Sequence, residues 1–143
     1  MRENCGFRQL LAWQVGMDVV ELTYRLTSNF PSEERYGLVA QMRRAAVSVP
    51  SNIAESQPAT TPKWTLRFIN NAIGSSCELD TQVEASVRLG FCGDVEIGSL
   101  REQIDRLQKL LYGMRRKKMQ TLVTAGLTIS GTLMLALRIW SIQ

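Results

Sequence analysis

The sequence predicts an all-α fold: an antiparallel up-down-up-down four-helix bundle with a kinked second helix and an additional apolar C-terminal segment. Apolar residues recur at alternating steps of three and four over long stretches, the period of one face of an α-helix. Proline and glycine divide those stretches into four, and no β signal of comparable strength competes with them. At 143 residues, 45% of them apolar and 21% charged, the chain is long enough for one domain with a hydrophobic core.

The first helix is carried by Leu10, Trp13, Met17, Val20, Tyr24 and Thr27. It is expected to stop near Phe30, because Pro31 disfavours helical geometry in the residue before it, and Pro31-Ser32-Glu33-Glu34 reads as a turn. A second helix is predicted from about Gly37 to Ser56, with Leu38, Met42, Ala45 and Val49 on one face. Pro50 removes a backbone hydrogen bond and crowds the preceding turn at a cost of roughly 3 kcal/mol, so a kink or short break is expected over residues 47–51. Gln57-Pro58-Ala59-Thr60-Thr61-Pro62 is the clearest linker.

Thr61 is predicted to cap a third helix with Pro62 at its first position, where a missing donor costs nothing. Its inner stripe is Ile69, Ala72, Ser76, Leu79 and Val83, and Leu89-Gly90 ends it through a left-handed glycine. A fourth helix is expected after Gly93, with Asp94 as N-cap and the strongest heptad of the chain: Ile97, Leu100, Ile104, Leu107, Leu111 and Met114. These segments define a bundle domain over residues 1–118 and an apolar tail or helix extension over 119–143. The tail holds a charge-free run from Met119 to Leu137, long enough to span a membrane. Gln120, Thr121, Thr124, Thr128, Ser130, Thr132, Gly126 and Gly131 dilute it, and packing on the bundle or on a neighbouring subunit is the favoured expectation.

The chain has no histidine, which removes the commonest general base and metal ligand and, with them, Ser-His-Asp and Cys-His chemistry. Cys5, Cys77 and Cys92 form no Cys-x-x-Cys pair and fit a reducing cytoplasm; no secretory signal peptide is read at Met1–Gly6. There is no phosphate loop or nucleophile elbow, and Asp80 with Glu84 reads as a solvated face, not a metal site. The expectation is a non-enzyme without cofactor or metal. Residues 1–93 carry nine basic and nine acidic side chains and residues 94–143 carry eight and four, so the whole excess of +4 is C-terminal. Its densest part is Arg115-Arg116-Lys117-Lys118.

The run Pro31-Ser32-Glu33-Glu34-Arg35-Tyr36-Gly37-Leu38, with Gln41 and Arg43-Arg44-Ala45-Ala46-Val47-Ser48-Val49-Pro50-Ser51-Asn52-Ile53-Ala54-Glu55, closely resembles the 23S rRNA intervening sequence proteins. Trp13-Gln14, Arg67-Phe68, Gly74-Ser75, Glu78-Leu79 and Leu89-Gly90-Phe91 support the likeness, which covers roughly residues 10–118. Members of that family resemble one another as four-helix bundles, commonly encoded within insertions in bacterial ribosomal RNA genes. A related branch, the accessory variability determinants of diversity-generating retroelements, forms pentameric rings that bind nucleic acid and a reverse transcriptase. The resemblance therefore implies a homo-oligomer, a pentamer, and an oligomeric scaffold or adaptor in a ribonucleoprotein setting, with RNA, DNA or another protein as partner. Where the family continues with glycine and a basic stretch, this chain has Ser56-Gln57-Pro58-Ala59.

Candidate contacts to nucleic acid or another partner are Arg35, Arg43, Arg44, Lys63, Arg67, Arg115, Arg116, Lys117 and Lys118. Guanidinium forks suit phosphate oxygens, but ion pairing is the competing reading: Arg43 or Arg44 against Glu55, Glu78 or Glu84, and the basic end of the fourth helix against its own dipole. Trp13, Tyr36, Gly37, Pro50, Asn52, Glu55 and Glu78 are read as structural motif positions, with Asn52 and Glu55 tying off backbone groups near the proline. Trp13 and Tyr24 are expected in the core. Trp64, beside Lys63 and Arg67, is the aromatic open to an interface.

Overall fold

The computed structural model describes the backbone of residues 6–59 and 61–140 and the side chains of that set as far as Thr124. Four α-helices follow one another: α1 (Leu11–Thr27), α2 (Leu38–Glu55), α3 (Pro62–Arg88) and α4 (Asp94–Trp140). Short 3-10 turns occupy Gly6–Gln9 and Ser32–Tyr36, and there is no strand among the described residues. Each helix packs on the next, and α4 packs also on α1, so the four enclose one core.

The centre of that core is the apolar stripe of α4. Ile97, Leu100, Ile104, Leu107 and Leu111 are each at most 2% exposed, and Ile69, Ala72, Leu79 and Val83 of α3 are wholly buried. Met114 ends the stripe half-buried. The hydroxyls buried with this seam are satisfied inside their own helix: Ser76 donates to the Ile73 carbonyl at 3.0 Å and Ser86 to that of Val83 at 2.6 Å. Small side chains with internal partners allow close helix packing without unpaired polar groups.

The buried face of α1 is turned from the one its bulkiest residues suggest. Ala12, Val15, Gly16, Val19, Thr23 and Thr27 are buried, whereas Met17 and Tyr24 are exposed and Leu10, Trp13 and Val20 lie at the margin. The reason is proximity. A Cβ placed on Gly16 lies 3.4 Å from the Pro50 side chain, so α1 and α2 approach more closely than large residues allow. Thr23 and Thr27 donate to the carbonyls of Val19 and Thr23 at 2.7 and 2.8 Å, which makes their burial tolerable.

Pro50 does not interrupt α2, which is continuous from Leu38 to Glu55; the expected break over 47–51 is absent. Its ring is buried against α1, and side chains hold the neighbouring turn. Ser51 Oγ donates to the Val47 carbonyl at 2.8 Å and Asn52 Nδ2 to that of Ser48 at 2.9 Å. Packing outweighs the roughly 3 kcal/mol intrinsic cost of an interior proline.

The helix ends explain several motif residues. The Leu38 amide donates to Glu34 Oε2 at 2.9 Å. A Cβ on Gly37 would stand 2.6 Å from that oxygen, so glycine makes room for the cap. Thr61 Oγ1 accepts from the Trp64 amide at 3.3 Å, and Pro62 opens α3. At the far end of α3, Gly90 takes φ of 74°. The amides of Gly90 and Phe91 donate to the carbonyls of Val87 and Ser86, a pattern that closes the helix and turns Phe91 onto Phe30 at 5.6 Å between ring centroids. Asp94 is the first residue of α4, not its cap; the Gly93 amide donates to the Glu96 carboxylate instead.

Beyond the bundle, α4 continues to Trp140. No helix among the described residues is long and apolar enough to cross a membrane. The side chains of 125–137, which make up most of the proposed spanning run, lie outside the described residues, as does Cys5. Cys77 and Cys92 are free thiols.

Val19→Ala is expected to lower stability by about 2 kcal/mol through lost burial and a residual cavity, read by urea denaturation. A variant as stable as the parent would mean that the outer stripe of α1 folds the chain.

Candidate functional site

In α3, Trp64 and Arg67 are one helical turn apart, and the Arg67 guanidinium lies 5.0 Å from the Trp64 ring centroid. Tyr112 and Arg115 in α4 repeat the arrangement at 4.7 Å. Each turn thus displays a ring and a cation together, an arrangement worth about 0.5–1 kcal/mol at exposed positions.

Tertiary packing links the recesses beside these two turns through Asn70. Lys63, Trp64, Leu66, Arg67, Asn70 and Asn71 line a concavity of about 630 Å³. Asn70 also lines a second, of about 680 Å³, with Tyr112, Arg115, Arg116 and Met119. The two share Asn70 across α3 and α4, and no acidic residue among the described ones lines either of them. Trp64 borders a third hollow as well, with Glu55, Pro58, Ala59 and Phe68, so its ring stands as a wall between two recesses.

The face gathers Lys63, Arg67, Arg115 and Arg116 from the sequence-derived candidates. Lys117 and Lys118 follow on α4 as exposed cations without lining it. Arg35 lies in the Ser32–Tyr36 turn, 5.9 Å from the ring of the highly exposed Tyr36. Arg43 is not ion-paired among the described residues: its Nε donates to Thr27 Oγ1 at 2.9 Å and its guanidinium lies 4.5 Å from the Tyr24 ring. Arg44 is exposed. Of the three acids expected beside these two, Glu84 binds Arg88 and Arg101 at 2.8 and 2.5 Å, Glu78 accepts from Gln82 at 3.0 Å, and Glu55 is exposed. Trp13 tilts against Phe7, 5.3 Å between centroids, at the margin of the core.

Tyr112, Asn70, Asn71 and Met119 were not among the residues the sequence singled out. The signal for Tyr112 was present: aromatic-x-x-Arg occurs at Trp64–Arg67 and again at Tyr112–Arg115. No group of three or more histidine, cysteine or carboxylate side chains able to hold a metal ion occurs among the described residues.

An all-helical bundle with one basic, ring-bearing face is the class that these observations define. The profile of the family described as 23S rRNA-intervening sequence protein matches residues 8–113, and the chain belongs to that family. The match stops short of Arg115, Arg116 and Met119, so part of the face lies past the matched segment. Comparison with curated proteins finds no match.

The Glu84 cluster clasps α3 to α4, with Arg101 reaching Asp94 at 3.2 Å as well. The hydrogen bond from Arg88 holds the Glu84 carboxyl below the usual glutamate range; partial burial opposes it, and the charges of Arg88 and Arg101 add to the lowering. A carboxyl with a lowered folded-state pKa stabilises the fold above its unfolded-state pKa, and that contribution is lost as pH falls through the folded value. Thermal midpoints measured from roughly pH 7 to pH 3 should therefore fall less steeply for Glu84→Gln than for the parent. Parallel curves would show that the clasp contributes nothing.

Proposed function

We propose that the protein is a non-enzymatic helical-bundle adaptor that binds nucleic acid through the α3–α4 face. The observation that carries this reading is the shared Asn70, which joins Lys63, Arg67, Arg115 and Arg116 around Trp64 and Tyr112 on a surface whose two concavities have no acidic lining among the described residues. Cations held apart from carboxylates retain their charge for phosphate, and each phosphate contact releases counterions. Arginine forks add bidentate geometry to that attraction. A ribonucleoprotein setting agrees with the family's description. The absence of histidine, the free Cys77 and Cys92 and the lack of a ligand cluster among the described residues favour a cytoplasmic binding protein over an enzyme.

A second observation supports self-assembly. Trp13, Met17 and Val20 of α1 line a largely apolar hollow of about 330 Å³ with Phe7, Val47, Pro50 and Ala54, and Arg8 and Ser51 complete its lining. Apolar surface gathered in this way on a small protein suits a subunit contact. The assembly that the family likeness implies is a ring, in the form of a pentamer, built from bundles whose helices run up-down-up-down through short connections.

Binding to a labelled RNA over a salt series tests the first reading. Four phosphate contacts give a slope of log K against log salt of about −3 to −4, and Arg116→Ala reduces its magnitude by about 1. Binding absent even at low salt would remove nucleic acid as the partner. For self-assembly, light scattering should show Met17→Glu as a folded monomer and the parent as an oligomer; a monomeric parent would overturn that reading.

A further inference from the structure

We infer that the α3–α4 face takes a single strand, whose bases stack on Trp64 and Tyr112 while its phosphates follow the basic side chains; this rests on the nucleic-acid reading above. The rings decide it. Trp64 is 48% exposed and Tyr112 39%, and each is covered on one side by the arginine of its own turn. Large rings held at a charged surface are costly in water and find their complement in another flat, apolar face. In a duplex those faces are stacked inside and only edges and phosphates are presented, whereas an unpaired strand offers one face per nucleotide.

The shape of the surface agrees. Duplex readers insert a helix or ribbon into the groove of the nucleic acid; here the protein supplies the recess and the ligand enters it. Asn70, shared by the recesses of the two rings, and Asn71, in the recess of Trp64, supply amides able to donate to and accept from the edges of splayed bases. Glu55 borders the hollow on the other side of Trp64 and repels phosphate there. The backbone of the strand is thereby kept on the side of Lys63, Arg67, Arg115 and Arg116, with its bases turned toward the rings.

The experiment uses the full chain with a uridine oligonucleotide of about fifteen residues and, in parallel, a duplex of equal length. Tryptophan fluorescence and anisotropy are recorded at low and moderate salt. The single strand should bind at least about fivefold more tightly than the duplex and quench fluorescence. Trp64→Leu should abolish the quench while Trp13 and Trp140 remain, and Tyr112→Leu should weaken single-strand binding by about fivefold or more. Arg116→Ala should weaken both ligands alike. Circular dichroism establishes that the variants fold, as substitutions at these exposed positions permit. Equal affinity for duplex and single strand, with Trp64→Leu unaltered, would overturn the stacking inference and leave the basic face intact. Failure of both ligands to bind at low salt would overturn the inference and the reading beneath it, and would turn the face toward a protein partner.

Discussion

Close packing of α4 against its neighbours is the constraint on which the other features depend. Ile97, Leu100, Ile104, Leu107 and Leu111 are removed from water along a single stripe, each contributing roughly 1.5–3 kcal/mol of burial. Opposite them, α3 alternates bulk with Ala72, Ser76 and Ser86, so the register between the two helices is set by shape. That register places Glu84 within reach of Arg101. It also places Asn70 between two recesses, one from each helix, so the basic face is a by-product of core packing.

Two environments recur among the arginines of this molecule. Arg25, Arg88 and Arg101 are bound by carboxylates of their own or an adjoining helix, where the charges largely cancel. Arg67 and Arg115 rest on aromatic rings instead, which attract a cation without neutralising it. A guanidinium in the second environment keeps its long-range field and its donors. Arg8, Arg35 and Arg43 share this second environment elsewhere on the molecule, but on α3 and α4 it occurs twice, apart from the clasp around Glu84 that ties those helices together.

Much of the fold was legible in the residue pattern, and the exceptions have physical causes. The stripes of α3 and α4 announce themselves because large apolar residues occupy most inward positions. On α1, Trp13, Met17 and Tyr24 are apolar enough to suggest the core, yet Ala12, Val15, Gly16, Val19 and Thr23 occupy it, and Gly16 meets the Pro50 side chain at a distance that leaves no room for a large residue there. That contact lies between helices and leaves no trace in α1 alone. Pro50 itself shows local preference yielding to packing. For the candidate site, Lys63 and Arg67 were readable as one basic patch and Arg115-Arg116 as another. Their union was not, since nearly fifty residues separate them and only the folded seam closes that gap.

The Phe30–Phe91 contact has a consequence of another kind. Phe30 precedes the turn into α2 and Phe91 lies in the turn into α4, so one aromatic pair staples two connections that are distant in sequence. Opening either loop exposes both rings, so the contact couples the two connections energetically. Where α2 passes into α3, exposed Gln57 and Pro58 make no such tie. Local opening is therefore cheaper beside Trp64 than beside Phe91. The ring-bearing recesses thus lie at the end of the bundle whose connection carries no such aromatic staple.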